Sequence, residues 1–523
     1  MDKPGNNKPN HGIVLALVSL GGCALYLMTI SRCHTWDAIA YASAIHGNEL
    51  LSGRYLSTTF YHPHHLIFNA IGYVVARIWE VMFKNQTNHF LPLQIMSSIF
   101  GAASILLVGK IIYKRTGDIR KSCFLAAMFA LSHTVWWFST EVEVMLPAMF
   151  FSLLALNAAI NPRIGSRDIL VISISTSVAI LIHQINFFFF VAIALLLFLR
   201  VRRGQIRSSR LLAFAGYMTF FVLGTYMIVG VVTQHLRSPL EFLGWVLAVR
   251  TRSTFEITSV YSLMRKGADS YVRAFISLFG PTELRFYGAS VSSLLFFAGS
   301  LLSLVGLLAM HVSVLLSVKR FLKDREPFVL LNLIWLVLVA VFILWFSSAN
   351  VEFWIYAIPP VIFLFSVGGR GLGRFDSIRR RFEKPAYIAF LILLGTTNFR
   401  TSIGIRMNES NAEYRQAVDM VKENMSPGDL ILSESPGRSA LGTYGVIAVP
   451  YFTGVDVVVL PGAETSIPPL IEETIRNGNR VYILEEVVRP EFSPILDPYS
   501  LEELRAPGGW KVFRVMPATG GKK

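Results

Sequence analysis

An all-α polytopic membrane bundle of about 11 transmembrane helices, with a small C-terminal α/β extramembrane domain, is the fold class that the sequence predicts. Three observations predict it. Hydrophobic residues fill 53% of the 523 positions and charged residues only 15%, with a mean hydropathy of +0.52, too apolar for an ordinary soluble chain of this length. The apolar runs alternate with short basic loops. From about Arg406 the long runs give way to short strand candidates and amphipathic helices. The expected domains are therefore a membrane domain, residues 1–404, and an α/β domain, residues 405–523.

The formal charge of +15 would suit a nucleic-acid binder, but Lys and Arg cluster between apolar runs, where they mark cytoplasmic loops. The basicity is read as topology, and no nucleic-acid partner is expected. Cys23, Cys33 and Cys123 lie in or beside apolar segments and form no CxxC pair. Leu20-Gly21-Gly22-Cys23 has the form of a lipoprotein cleavage box; a chance match within an anchor helix is preferred, because cleavage would discard the first span.

A helix needs roughly 20 apolar residues to cross the hydrocarbon core, and basic loops stay inside. Ile13 to Ile30 follows Lys3 and Lys8, so it runs outward and delivers Cys33 to His65 to the outer side. If Leu66 to Phe83 crossed next, Lys110, Lys114, Arg115, Arg120 and Lys121 would fall outside, against the charge rule. That segment is therefore read as a helix lying at the outer interface. Spans follow near 93–112, 123–138, 146–160, 169–184, 186–199, 211–233, 290–317, 328–348, 353–368 and 386–402. The N-terminus is expected in the cytoplasm and the C-terminal domain outside it, in the plasma membrane if the source is bacterial.

In the tail, Glu413 to Asn424 reads as an amphipathic helix and Pro469 to Asn477 as another. Strand candidates are Leu430 to Leu432, Val446 to Val449, Val455 to Leu460, Val481 to Leu484 and Val512 to Val515. No GxGxxG fingerprint or Walker loop supports nucleotide binding, and no cofactor is expected.

Ionisable residues at a membrane are costly unless used, and on this map they gather outside. The first loop carries His34-Thr35-Trp36-Asp37, Gly53-Arg54-Tyr55 and Tyr61-His62-Pro63-His64-His65. Asp37 is either a general base or a cap for a helix after the first span. His62, His64 and His65 could hold a metal, but hydrogen bonding to substrate oxygens or helix capping is preferred, and no metal is expected. Arg54 is a candidate phosphate clamp, or a snorkelling side chain. Ser132 to Glu143 brings Trp136 and Trp137, read first as an aromatic belt, beside Glu141 and Glu143. Two further outer turns carry His183 and Glu352. The outer segment 234–289 includes Arg265, Lys266 and Arg273, which either sit among anionic headgroups or wall a lipid-phosphate site.

These features resemble the GT-C superfamily of membrane glycosyltransferases, of the protein O-mannosyltransferase and lipid A aminoarabinose transferase types. The similar parts are the Asp37 loop, the YHPHH start of an interface helix, WWFSTEVEV before the fourth span, and the outer α/β tail. The resemblance implies transfer of a sugar from a polyprenyl-phosphate donor to an acceptor hydroxyl on protein, lipid or glycan, at the outer face, with inversion. It gives Asp37 the role of catalytic base, with Glu141 or Glu143 supporting sugar or acceptor. Arg54, His62, His64, His65, His183 and Glu352 are then candidate substrate contacts, and Arg265, Lys266 and Arg273 candidate phosphate contacts. One departure stands: many members have two adjacent acids in that loop, whereas Ala38 follows Asp37 here. Two other classes fit many spans with polar ends: a transporter or flippase of a lipid-linked substrate, and a non-catalytic scaffold. Transporters place coupling residues near the midplane, commonly in paired repeats; the acids here fall at span ends, and no repeat is visible.

Overall fold

The computed structural model describes residues 11–46, 60–84, 90–247, 260–277, 291–324, 326–368, 376–433, 441–459, 467–488, 496–505 and 511–517. The chain divides into two compact units: Met1–Ile30, Tyr61–Ile71 and Leu91–Ile405 form one, and Ser31–Phe60, Gly72–Phe90 and Arg406–Lys523 form the other.

In chain order the helices up to residue 398 are α1 (His11–Met28), α2 (Trp36–His46), α3 (Phe68–Phe83), α4 (Phe90–Thr116), α5 (Ile119–Leu131), α6 (His133–Ser139), α7 (Met145–Ala159), α8 (Ser166–Ile182), α9 (Phe187–Arg202), α10 (Ser208–Met218), α11 (Gly224–Val232), α12 (Pro239–Val246), α13 (Val260–Phe275), α14 (Val291–Asp324), α15 (Pro327–Ser347), α16 (Ile358–Gly368) and α17 (Asp376–Asn398). Seven helical segments are long and apolar enough to cross a membrane: His11–Met28, Phe90–Thr116, Gln184–Arg202, Ser208–Val232, Ala298–Leu315, Pro327–Ser347 and Pro385–Arg406. The bent pair α5 and α6 makes up to 8. Helices fill the other expected segments too, but α7, α8 and Phe353–Val367 are shorter. By length and composition, the expected count of 11 is thus not reached among the described residues. The 16-residue α3 falls short of the roughly 20 residues a span needs. It exposes Val74, Ile78, Val81 and Met82, and pairs Arg77 with Glu80.

In the first unit the bundle closes where small residues allow backbones to approach. A Cβ on Gly22 of α1 would meet the Ile105 side chain of α4, and one on Gly101 of α4 would meet Ser139 and Tyr26. Across these contacts Ser19 Oγ donates to Ala102 O (2.6 Å), Tyr26 OH to Ala130 O (2.9 Å) and Trp136 Nε1 to Thr29 Oγ1 (2.9 Å). Trp136 is only 3% exposed, so it is an internal packing residue and not part of an aromatic belt.

Basic residues near the ends of some helices close the ends of others. Arg200 donates to Ala159 O (2.7 Å) and Pro162 O (2.8 Å), and Lys114 donates to Asn157 O (3.1 Å), all at the C-terminal end of α7. Lys121 does the same for Ser366 O in the last turn of α16. Cations here satisfy carbonyls that have no intrahelical partner and complement the negative end of the helix dipole. Arg115 pairs with Glu326 at 2.7 Å.

The second unit contains a five-stranded sheet, ordered β2-β1-β3-β5-β4, from β1 (Leu430–Ser433), β2 (Asp456–Val459), β3 (Val481–Leu484), β4 (Tyr499–Arg505) and β5 (Lys511–Pro517). β1 pairs in parallel with β2 and β3, while β5 runs antiparallel to β3 and β4. Leu430, Leu432, Val481, Ile483 and Val515 meet Ile467 and Ile471 of the helix Ile467–Arg476 in its core. Val446 to Val449, read as a strand, lies within the helix Gly442–Thr453. A short apolar run has no decisive period, and the parallel β1–β2 pair requires a crossover, which this helix supplies. β4 was not expected. Its Glu502, Glu503 and Arg505 are the charges of an edge strand, which blur the strand pattern.

Gly101→Ala should destabilise the purified protein by about 1–3 kcal/mol, because Ser139 and Tyr26 must move. Gly21→Ala, which meets nothing within 4 Å, should be neutral or mildly stabilising. Thermal unfolding in detergent compares the two; equal behaviour would remove Gly101 from the helix contact.

Candidate active site

Membrane helices expose polar backbone groups wherever they break, and two breaks among the described residues of the first unit are closed by polar side chains. α5 and α6 meet at a 65° bend at Ser132. Asn398 Nδ2 takes the freed Leu131 O at 2.8 Å and also reaches Phe275 O. His133 bridges Arg273 O through Nδ1 and Ser402 Oγ through Nε2, each at 2.8 Å. A carbonyl only accepts, so Nδ1 carries the proton and Nε2 accepts from the serine.

A second break, between α8 and α9, presents His183. Its Nδ1 accepts from Ile185 N at 3.1 Å. Asn186 donates to Ala179 O and His183 O, accepts from Ser152 Oγ (2.8 Å), and reaches Tyr356 OH (3.4 Å). The turn His62 to His65 is held against this break. Tyr226 OH donates to Pro63 O (2.6 Å) and accepts from Gln184 Nε2 (2.9 Å), and Ile67 N donates to Leu181 O (3.2 Å).

Four of the expected site residues therefore form one cluster. The His62 ring lies 4.9 Å from His64 and 5.8 Å from His65, and His65 lies 4.9 Å from His183. Burial, reinforced by the neighbouring imidazoles, holds His65 well below the usual range and His183 down to about 3; burial also lowers His64. His183 is thus neutral at pH 7. With Nδ1 accepting a backbone N–H, its Nε2 carries the proton and is a donor. His62 caps its own turn by accepting from His64 N at 3.2 Å, so its neutral form is also an Nε2–H donor.

The glutamates separate into two roles. Glu141 is fully buried and its Oε1 accepts from Val142 N at 3.0 Å, which turns it toward its own backbone. Glu143, 1% exposed, and Glu352 bring carboxylate oxygens within 4.8 Å of each other. A divalent cation is commonly held by one or two carboxylates plus substrate phosphate, so this pair is where the first unit could hold one. Glu352 is set by its turn: its N donates to Asn350 Oδ1 (2.8 Å) and its Oε2 accepts from Asn350 Nδ2 (3.3 Å).

The helix α13 is pinned one turn away, with Trp354 Nε1 donating to Ser270 Oγ (2.8 Å) and Ser270 in turn to Ser348 O. Its Arg265 and Lys266 are exposed, and Arg273 is half-buried beside Asp269 at 3.5 Å. Arg54 lies outside the described residues. Tyr226 and Tyr356 were missed as site-building residues; the available signal was a hydroxyl in an otherwise apolar run.

In the second unit, Asp37 occupies the first turn of α2. The capping bond belongs to Thr35, whose Oγ1 accepts from Ala38 N at 3.1 Å. The capping alternative for Asp37 is thereby taken over by its neighbour. Burial pushes the Asp37 carboxyl up to about 6.

ArnT from Cupriavidus metallidurans bound to undecaprenyl phosphate matches this structure with TM-score 0.59 at 12% identity, over 98% of this chain and 99% of ArnT. The same protein in its apo state matches with TM-score 0.61 at 11% identity and the same coverage, 98% and 99%. The chain has the GT-C fold. Archaeal oligosaccharyltransferase AglB from Archaeoglobus fulgidus, in complex with an inhibitory peptide and a dolichol-phosphate, shares it with TM-score 0.51 and 14% identity, over 99% of this chain and 75% of AglB. No protein-family profile and no curated protein sequence matches the chain. With this fold and its apolar helices, the protein is an integral membrane protein.

Tyr226→Phe removes the hydroxyl that joins Gln184 to Pro63 and leaves Pro63 O without that donor. A loss of about 1–3 kcal/mol in unfolding free energy is expected; unchanged thermal unfolding in detergent would show that the histidine turn is held by other contacts.

Proposed function

We propose that the protein is an inverting glycosyltransferase that moves a sugar from a polyprenyl-phosphate carrier to an acceptor hydroxyl on protein, lipid or glycan. The observation that carries this reading is Asp37: it stands in the first turn of α2 with the capping work done by Thr35, and its carboxyl is raised toward neutrality, as suits a general base. The GT-C fold shared with ArnT and AglB, whose structures hold undecaprenyl phosphate and a dolichol-phosphate, supports a lipid-phosphate carrier.

In this mechanism Asp37 takes the acceptor hydroxyl proton as the acceptor oxygen bonds to the anomeric carbon. The bond from that carbon to the carrier phosphate breaks on the opposite side, which inverts the centre and releases polyprenyl phosphate. His62 and His183, as Nε2–H donors, serve substrate oxygens, with His64 and His65 as further substrate contacts. Glu143 and Glu352 orient sugar or acceptor, Glu141 stiffens the turn that carries Glu143, and Arg54 is a further clamp. Arg265, Lys266 and Arg273 supply the positive charge that a departing phosphate needs.

The orientation proposed with this function puts the N-terminus in the cytoplasm and residues 405–523 outside it. Protease added to sealed right-side-out vesicles should then release the C-terminal domain; full protection would reverse the topology.

Asp37→Asn should lower transfer from labelled polyprenyl-phosphate sugar by at least about 10²-fold in folded protein. In the parent protein the base must be ionised. With its carboxyl raised to about 6, the rate should halve near that pH and fall about tenfold per unit below it. Near-normal turnover by the Asn variant would remove Asp37 from the mechanism.

A further inference from the structure

The segment around Asp37 is not held by its own sequence neighbours alone. Arg32 N and Cys33 N both donate to Arg406 O, at 2.7 and 3.2 Å. Cys33 Sγ reaches Asn408 O at 3.1 Å, and His34 N reaches Tyr414 OH at 3.4 Å, across separations of 375 and 380 residues. The His34 imidazole stacks on Phe90 at 3.6 Å and 6°. Phe90 in turn meets Tyr451 at 5.1 Å and Phe452 at 6.0 Å, and Phe452 stacks on Tyr414 at 5.3 Å and 15°. α2 itself packs on Gly442–Thr453, the crossover helix of the parallel sheet. Every one of these groups lies within the second unit.

This arrangement has a direct mechanical reading. Backbone bonds to Arg406 O and the Cys33 thiol on Asn408 O fix the segment entering α2, the ring stack fixes His34, and the crossover helix backs the helix that follows. Only Thr35 and Trp36 separate His34 from Asp37, so an error in one is passed to the other with little chain to absorb it. Holding a short helix this way costs conformational entropy that its 11 residues cannot recover alone, because isolated helices of that length are marginal in water.

We infer that the C-terminal α/β domain acts as the positioning element for Asp37, with Phe452 and Tyr414 as positioning residues that act through His34. The inference rests on Asp37 being the base. It assigns the tail a part in catalysis that does not require it to touch sugar, carrier or acceptor.

The test uses Phe452→Ala, which opens the ring stack, Phe452→Leu, which keeps most of its volume, and Tyr414→Phe, which removes the hydroxyl facing His34 N. Each is made in the full-length protein. Amide hydrogen exchange in residues 38–46 should accelerate in Phe452→Ala, with the exchange of α7 and α9 unchanged. The kcat should fall on the order of 10- to 100-fold, as a displaced catalytic group loses, with KM for polyprenyl-phosphate sugar within about twofold. Phe452→Leu should recover most of the rate. If Phe452→Ala does not fold, Tyr414→Phe carries the same readouts with a smaller effect. Unchanged exchange in 38–46, or faster exchange with an unchanged kcat while Asp37→Asn is inactive, overturns the inference. Full turnover by Asp37→Asn defeats the reading of Asp37 as base, and with it the positioning role.

Discussion

Backbone polar groups that lose their helical partners within or beside hydrocarbon have no water to turn to, and each unpaired group costs several kcal/mol. Much of this structure follows from that constraint. Where α5 breaks into α6, Asn398 takes Leu131 O and His133 bridges to Arg273 O and Ser402. Where α8 breaks before α9, Asn186 takes Ala179 O and His183 O. Where α7 ends, Arg200 and Lys114 take its last carbonyls. A polar side chain in an apolar chain is thus placed first by what the backbone lacks.

The same requirement furnishes the candidate chemistry. A residue that closes a break sits at the end of a helix, oriented by the bonds it makes there. His62 and His183 each accept a backbone N–H through Nδ1, and so turn Nε2–H outward in their neutral forms. Glu141 differs, since its Oε1 accepts from the adjacent Val142 N. In the second unit Thr35 performs the capping that Asp37 might otherwise perform, which leaves a half-buried carboxyl with a raised proton affinity.

Several of these features were legible beforehand because they depend on local pattern. Apolar length and loop charge marked where helices run, and the run Leu430 to Leu432 marked β1, which follows Asp429, an acceptor from Ser426 N and Arg480 N. The strand read at Val446 to Val449 failed because four apolar residues carry no period; the need to cross between parallel β1 and β2 makes them helical. The edge strand β4 was hidden by its own charges. Trp136 was read as a belt residue, since no sequence neighbour announces Thr29 as its partner 107 positions away.

By itself the sequence determined the membrane class, the sites of the helices and the α/β character of the tail, and it named candidate site residues, because hydropathy, loop charge and side-chain type are local properties. It left undecided which of those residues do structural work. Only the tertiary structure set Glu141 Oε1 on Val142 N and Glu143 beside Glu352, assigned the cap to Thr35, gathered His62, His64, His65 and His183, and joined the segment before Asp37 to Arg406 and Asn408. Those outcomes depend on contacts between segments far apart in the chain. Partner choice there is set by packing and by the need to satisfy every buried polar group, which no local pattern encodes.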